Sequence, residues 1–127
     1  MKTKGLICVV DDDAALRESL SDLLRAAGYR AACFESAESF LASEERGGCG
    51  CVVADIHMSG LTGIDLAKRV AAAADAPKVI LITGHLEESW RERAVYSGAA
   101  GFLRKPIESK TLLDLVERSV GHDPPPT

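Results

Sequence analysis

The sequence predicts an α/β fold, a parallel sheet with helices packed on both of its faces. Short apolar runs alternate with stretches in which leucine and valine recur at helical spacing, and the links are too short for anything but strand-to-helix crossovers. The strongest run, Cys51-Val52-Val53-Ala54, has the composition of a strand buried on both faces, and it stops on a single carboxylate, Asp55. Three other runs also stop on polar groups. Val9-Val10 leads into Asp11-Asp12-Asp13, residues 79–82 into Thr83, and Phe102-Leu103-Arg104 into Lys105-Pro106. In an open parallel sheet, ligands gather beyond the carboxyl ends of the strands, so these ends are where chemistry is expected.

Taken in order, residues 6–10 read as the first strand, and Asp12 or Asp13 is placed to cap the helix that follows. Leu16, Leu20, Leu23, Leu24 and Ala27 give that helix, residues 14–27, one apolar face, and Gly28 closes it. Residues 29–34 form a weaker strand carrying Arg30, which suits a sheet edge. Ser36 caps a short helix through Phe40 and Leu41, and the glycines at 47, 48 and 50 predict a loop over residues 44–50. The central strand then ends at Asp55. Thr62 with Asp65 three residues on resembles a capping box, opening a helix to about Ala74 with Leu66 and Val70 inward. Pro77 interrupts the chain before the strand 79–83. A helix over 87–97 closes on Gly98, and residues 101–103 make the fifth strand. Ser109 caps the last helix, in which Leu112, Leu115, Val116 and Val120 face inward. Residues 1–121 are expected to form one domain, with 122–127 a Pro-rich tail or linker stub, since consecutive prolines favour an extended spacer.

Composition narrows the function. The 127 residues suit one domain with a full core and no disulfide staples. A hydrophobic fraction of 46% and a mean hydropathy of +0.04 are those of a soluble globular chain. The net charge of −4, with acids and bases interleaved, argues against a nucleic-acid-binding surface. No window approaches the roughly 18 apolar residues of a membrane span, and no apolar leader follows the start, so a cytoplasmic location is expected. Of the four cysteines, Cys8 and Cys33 lie in apolar runs, and Cys49 and Cys51 form a C-x-C pair without a second pair at zinc-finger spacing. That spacing favours reduced structural thiols over a metal or redox site.

Each strand-end group has an ordinary reading beside its functional one. Three acids in a row are costly unless a cation or solvent relieves them. One of Asp11, Asp12 and Asp13 is accounted for as a helix cap. The excess suits Mg²⁺, which takes oxygen ligands and keeps several waters, with Asp55 as a further carboxylate. Asp55, otherwise a helix cap, is a candidate nucleophile, because a carboxylate accepts a phosphoryl group as an acyl phosphate. Lys105, otherwise a solvated lysine, is placed to neutralise charge on a transferring phosphoryl. The Thr83 hydroxyl is placed to donate to a phosphoryl oxygen. The P-loop and dinucleotide-binding glycine patterns and the zinc-protease H-E-x-x-H are absent, which removes the main support for those chemistries.

On Val10-Asp11-Asp12-Asp13, Asp55, Ile82-Thr83-Gly84 and Phe102-Leu103-Arg104-Lys105-Pro106, the chain resembles a response-regulator receiver domain over residues 5–121. Ile82-Thr83-Gly84-His85 and the spacing to Phe102 are most similar to FixJ-type receivers. The resemblance implies a flavodoxin-like (βα)5 sheet in the order 2-1-3-4-5. It also implies a role for each residue: Asp11, Asp12, Asp55 and the His57 backbone carbonyl for Mg²⁺ or Mn²⁺, Asp55 as phosphoacceptor, Thr83 and Phe102 as switch residues, and Lys105 as the site lysine. His57 and His85, two residues beyond Asp55 and Thr83, are expected to flank the path of the attacking water and set the phosphoryl lifetime; they lack the ligand set of a transition-metal site. One departure stands out. Where the family usually has Met-Pro, this chain has Met58-Ser59, followed by Gly60 and Gly63, which predicts a more mobile loop.

The expected function is that of a signalling phosphoacceptor rather than an enzyme in its own right. It would take a phosphoryl group from a sensor histidine kinase or a phosphotransfer protein, promote its own dephosphorylation, and switch a face used for partner binding or homodimerisation, with a DNA-binding output beyond the tail. Two rivals are a pseudo-receiver that acts without phosphate and a Mg²⁺-dependent phosphohydrolase. The intact acid, hydroxyl and lysine set argues against the first. Ile56-His57 after the acceptor, in place of D-x-D, argues against the second.

Overall fold

The computed structural model describes residues 5–72, 76–84, 92–93 and 97–120. Five strands, β1 (Leu6–Val10), β2 (Arg30–Phe34), β3 (Cys49–Asp55), β4 (Lys78–Thr83) and β5 (Gly101–Arg104), lie in one sheet in the order β2-β1-β3-β4-β5. Every pairing is parallel. The sheet is therefore the flavodoxin-like one the resemblance implies, with β2 at an edge and β3 at the centre.

Alternation along the strands builds two apolar layers. Val10, Val52, Ala54 and Leu81 face α2 (Ala37–Leu41) and α3 (Gly63–Ala71), meeting Phe40, Ile64, Leu66 and Val70. Ile7, Val9, Val53, Ile80 and Ile82 face the other way, toward Leu20 and Leu24 of α1 (Ala14–Ala26) and Leu112 and Val116 of the last helix (Ser109–Val120). Residues 51–55 of β3 are buried throughout, which explains their unbroken apolar run. Burying each of these valines or isoleucines stabilises the fold by about 1.5–3 kcal/mol, offset by the chain entropy lost on folding.

Local chemistry sets the ends of the helices. Asp13 caps α1, accepting hydrogen bonds from the Ala15 and Leu16 amides, and Gly28 takes a φ of 99° just past its end. Ser36 caps α2 in a reciprocal pair with Ser39, and Thr62 and Asp65 form the expected capping box of α3.

Three stretches differ from expectation by more than one residue. Residues 44–48 are a 3-10 turn rather than an irregular loop, because Ser43 caps it by accepting from the Glu45 amide. Strand β3 starts at Cys49, two residues early, with a shift of its pairing to β1 between Leu6 and Ile7 that absorbs Gly50. Helix α3 stops at Ala71, where the amide of Ala72 turns back to the Val70 carbonyl, short of the expected Ala74. Of the helix expected over 87–97, Glu92 and Arg93 are described as helical, and Ser97 stands in a turn with Gly98. The rest of that helix, with His85, Trp90, Tyr96 and the proline run of the tail, lies outside the described residues. Among the described residues, no helix is long and apolar enough to cross a membrane.

Candidate functional site

The register of the sheet brings the polar strand ends together. Val10 pairs with Ala54, Asp55 with Ile82, and Thr83 with Arg104. Asp11 thus follows β1 level with Asp55, and Lys105 emerges one residue beyond the end of β5, level with the residue after Thr83. The ladders run one step past the strands, with Asp11 N donating to Phe34 O (3.1 Å), Ile56 N to Ile82 O (2.8 Å) and Lys105 N to Thr83 O (2.8 Å). These bonds hold the backbone of each site residue, leaving only its side chain to be placed.

Asp55 is 5% exposed and both its oxygens are engaged. Lys105 Nζ donates to Oδ2 at 2.8 Å, and the His57 amide donates to Oδ1, also at 2.8 Å. Asp11 is 1% exposed. Its Oδ1 accepts from the Asp13 amide at 2.8 Å, while its Oδ2 is buried without a hydrogen-bond partner. Burial, joined by the charge of Asp55, pushes the Asp11 carboxyl up to about 6, although the Asp13 amide pulls the other way. Burial works against the charge on Lys105, but the hydrogen bond and charge of Asp55, with Asp11 and Asp13 behind it, outweigh burial and raise its pKa. Two nearly buried acids and the one-third exposed ammonium of Lys105 thus meet at one corner of the sheet.

The other expected residues occupy different places. Thr83 is fully buried at the end of β4. Phe102 is the second residue of β5, opposite Leu81, with Arg104 opposite Thr83; it is half-buried and packs on the α2 and α3 layer. Alternation along paired strands puts Thr83 and Phe102 on the same face of the sheet. Asp12 is exposed beside Asp11. Among the described residues, no group of three acid, histidine or cysteine side chains converges as a ready metal cage. Mg²⁺ does not require one, since it is commonly held by one or two carboxylates and several waters. Asp11, with its orphaned buried oxygen, and Asp55 fit that pattern.

Two further residues shape the site without having been singled out for it in the sequence. Gly63 opens α3 directly against the end of β3, its amide donating to Ile56 O at 3.1 Å, and a Cβ there would overlap the Asp55 carbonyl oxygen. Arg17 Nη1 donates to Asp11 O at 2.7 Å. The signal for Arg17 is a cation in the first turns of a helix, where the dipole disfavours it, so another partner must hold it. Lys105 also borders an apolar groove of about 330 Å³ between α1 and the start of the last helix, lined by Leu16, Leu20, Leu23, Pro106 and Ile107.

Comparison with known proteins agrees with this geometry. Residues 7–117 match the family described as the response regulator receiver domain. The transcriptional regulatory protein FixJ of Bradyrhizobium diazoefficiens is 41% identical over 120 residues, covering 94% of this chain and 58% of its own. The response regulator protein TmoT of Ectopseudomonas mendocina is 33% identical over 117 residues, covering 92% of this chain and 53% of its own. Among solved structures, that of FixJ-N superposes with a TM-score of 0.84 at 28% identity, over 95% of this chain and 97% of its own. The chain spans little more than half the length of the two curated relatives.

Proposed function

The chain belongs to the response regulator receiver domain family of two-component signalling, and from that premise we propose that Asp55 accepts a phosphoryl group from the phosphohistidine of a partner protein. A carboxylate oxygen of Asp55 attacks phosphorus, the P–N bond breaks, and the histidine nitrogen leaves with the bonding pair. An acyl phosphate on Asp55 results. The observation that carries this reading is the 2.8 Å contact between Lys105 Nζ and Asp55 Oδ2 beside the unpartnered Oδ2 of Asp11. As the phosphoryl arrives, the ammonium is positioned to move from the carboxylate to a phosphoryl oxygen, and the His57 amide keeps Asp55 oriented. Thr83, at the end of the neighbouring strand, donates to another phosphoryl oxygen.

Asp11, Asp12 and Asp55, with the His57 carbonyl, would hold Mg²⁺, which when bound would supply positive charge against the transferring group. The buried acids otherwise repel that group, so transfer and hydrolysis both depend on the cation. The side chains of His57 and His85 are the groups this reading assigns to tuning the lifetime of the acyl phosphate. A sensor histidine kinase or a phosphotransfer protein is the donor, and the apolar groove beside Lys105 offers it a surface next to the acceptor. Because FixJ is a transcriptional regulator, a DNA-binding output carried by a longer chain is the readout this reading favours.

Incubation with acetyl phosphate and Mg²⁺ followed by intact-mass measurement tests the reading. A single phosphoryl adduct is expected, and it should vanish in Asp55→Asn or when Mg²⁺ is chelated. Equal labelling of the variant would remove Asp55 as acceptor, and no labelling of the wild type would favour a phosphate-independent module.

A further inference from the structure

The main chain of Asp11 loses a partner where β2 stops, and α1 supplies another. In a parallel ladder, a residue of β1 turned toward β2 donates to one carbonyl of that strand and accepts from the amide two residues further along it. Asp11 N donates to Phe34 O at 3.1 Å, so the Asp11 carbonyl would next meet the amide of Ser36. That amide is taken, since it donates to Ser39 Oγ at 3.3 Å in the reciprocal cap that opens α2. Arg17 Nη1 donates to the Asp11 carbonyl instead, at 2.7 Å, a charge-assisted bond that reaches back from α1 to the end of β1. Arg17 is half-buried, and its own amide donates to Asp13 O at 3.0 Å, so the guanidinium starts from a helical turn already fixed beside the acids. With Oδ1 held by the Asp13 amide, the amide, carbonyl and one carboxylate oxygen of Asp11 are all engaged, and what remains is the buried Oδ2.

We propose that Arg17 is a positioning residue for the divalent cation that the proposed function assigns to Asp11, Asp12 and Asp55; the inference rests on that reading. The Asp11 carbonyl belongs to the peptide that joins Asp11 to Asp12. By holding that oxygen, the guanidinium fixes the plane from which the Asp12 side chain departs and keeps Asp11 from turning about its backbone. Without the bond the peptide is free to rock, and the two acids lose their fixed spacing to Asp55. Arg17 bonds a main-chain oxygen rather than a carboxylate, so it shapes the site without neutralising the acids that a cation would meet. Its charge and its hydrogen bond act in opposite directions. The charge repels a dication and weakens binding, whereas the bond preorganises the ligands and strengthens it. Outer-shell groups that orient metal ligands are worth roughly 10–100-fold in affinity, while the repulsion is screened at a half-exposed site, so positioning outweighs charge. The sign of the change on removing Arg17 therefore separates the two roles.

Calorimetric titration of Mg²⁺ into the unphosphorylated full chain tests this, with backbone NMR spectra to show that each protein is folded. Methionine is a good helix former and sets no cation against the helix dipole, so Arg17→Met is expected to fold. Its Mg²⁺ affinity should fall about tenfold, with the amide signals of Asp12 and Asp13 already displaced in the metal-free spectrum. Arg17→Lys, which keeps the charge and an N–H donor, should lose less. With acetyl phosphate, the Mg²⁺ concentration that gives half the maximal rate should rise about tenfold in Arg17→Met, far more than the rate at saturating Mg²⁺ changes. An affinity equal to or tighter than that of the wild type in Arg17→Met would leave Arg17 only its charge and overturn the positioning role, with the proposed function intact. A lowered rate at saturating Mg²⁺ with an unchanged half-saturating concentration would overturn it too. A wild type that binds no Mg²⁺ would instead remove the metal site, and this role of Arg17 with it.

Discussion

At the scale of single residues, Asp11 is a site acid that burial holds away from its ordinary charge state. Its carboxyl is held up to about 6 against an ordinary 3.8, so the folded protein keeps a proton that the unfolded chain releases between those values. Asp11 therefore contributes its full stability below about pH 4, and that contribution is lost as pH rises through about 6. At neutral pH the ionised group weakens the metal-free fold by about 1–3 kcal/mol. Asp11→Asn is expected to raise the denaturation midpoint of the metal-free protein at pH 7.5 and to leave it nearly unchanged at pH 4. Mg²⁺ should stabilise the wild type far more than the variant, and its apparent affinity should fall as pH drops below about 6, because a proton then competes for the same oxygen. Equal midpoints for the two proteins at pH 7.5 would show that Asp11 is not strained. Gly63 gives a second expectation at this scale. In Gly63→Ala the new methyl must push the Asp55 carbonyl aside, so phosphorylation by acetyl phosphate should slow by at least tenfold, with stability lowered by about 1–3 kcal/mol. Wild-type rates in that variant would mean the end of β3 yields freely.

At the scale of elements, what was legible in the sequence is what local chemistry dictates. The Thr62 and Asp65 box was readable because both halves lie three residues apart, and the hydrogen bonds form as written, Asp65 N to Thr62 Oγ1 and Thr62 N to Asp65 Oδ2 (each 3.1 Å). The Thr62 amide also holds the Asp65 carboxyl below its ordinary range. Thr62→Ala should cost about 1 kcal/mol in a urea melt and loosen the start of α3. A cost near zero would mean that packing of Ile64 and Leu66 alone sets that end. The strand ends Asp11, Asp55, Thr83 and Lys105 were equally readable, because an apolar run that stops on a polar residue marks its own boundary. The bulge at Gly50 was not, since a register shift belongs to two strands at once and no single run records it. The same holds for Gly63 and Arg17, whose roles exist only once α3 meets β3 and α1 meets the end of β1. Glycines at 47 and 48 suggested an open loop, yet a Ser43 cap was enough to wind one 3-10 turn.

At the scale of the whole molecule, the question is how a group added at Asp55 is felt elsewhere. Two packed layers either side of a stiff sheet transmit force poorly by bending, so a signal needs a side chain with two discrete positions. Under the proposed function, Thr83 and Phe102 are placed to supply one on the face shared with α2 and α3: Thr83 is fully buried at the site end of β4, and Phe102 is half-buried on the adjoining strand. A hydroxyl drawn toward a phosphoryl oxygen leaves space on that face, and an aromatic ring that is only half covered gains apolar contact by turning into it. Driving such an equilibrium from about 1:99 to 99:1 requires that phosphorylation favour the inward state by about 5.5 kcal/mol. That is several hydrogen bonds' worth, so Lys105, Thr83 and the cation must all contribute. Beryllofluoride with Mg²⁺, as a phosphoryl mimic, is therefore expected to shift the NMR signals of Phe102 together with those around Asp55. Thr83→Ala should keep the shifts at Asp55 and His57 while those at Phe102 shrink severalfold. Phe102 signals that respond alike in both proteins would cut the link between hydroxyl and ring, leaving the phosphoryl to act through the loops around Asp55 alone.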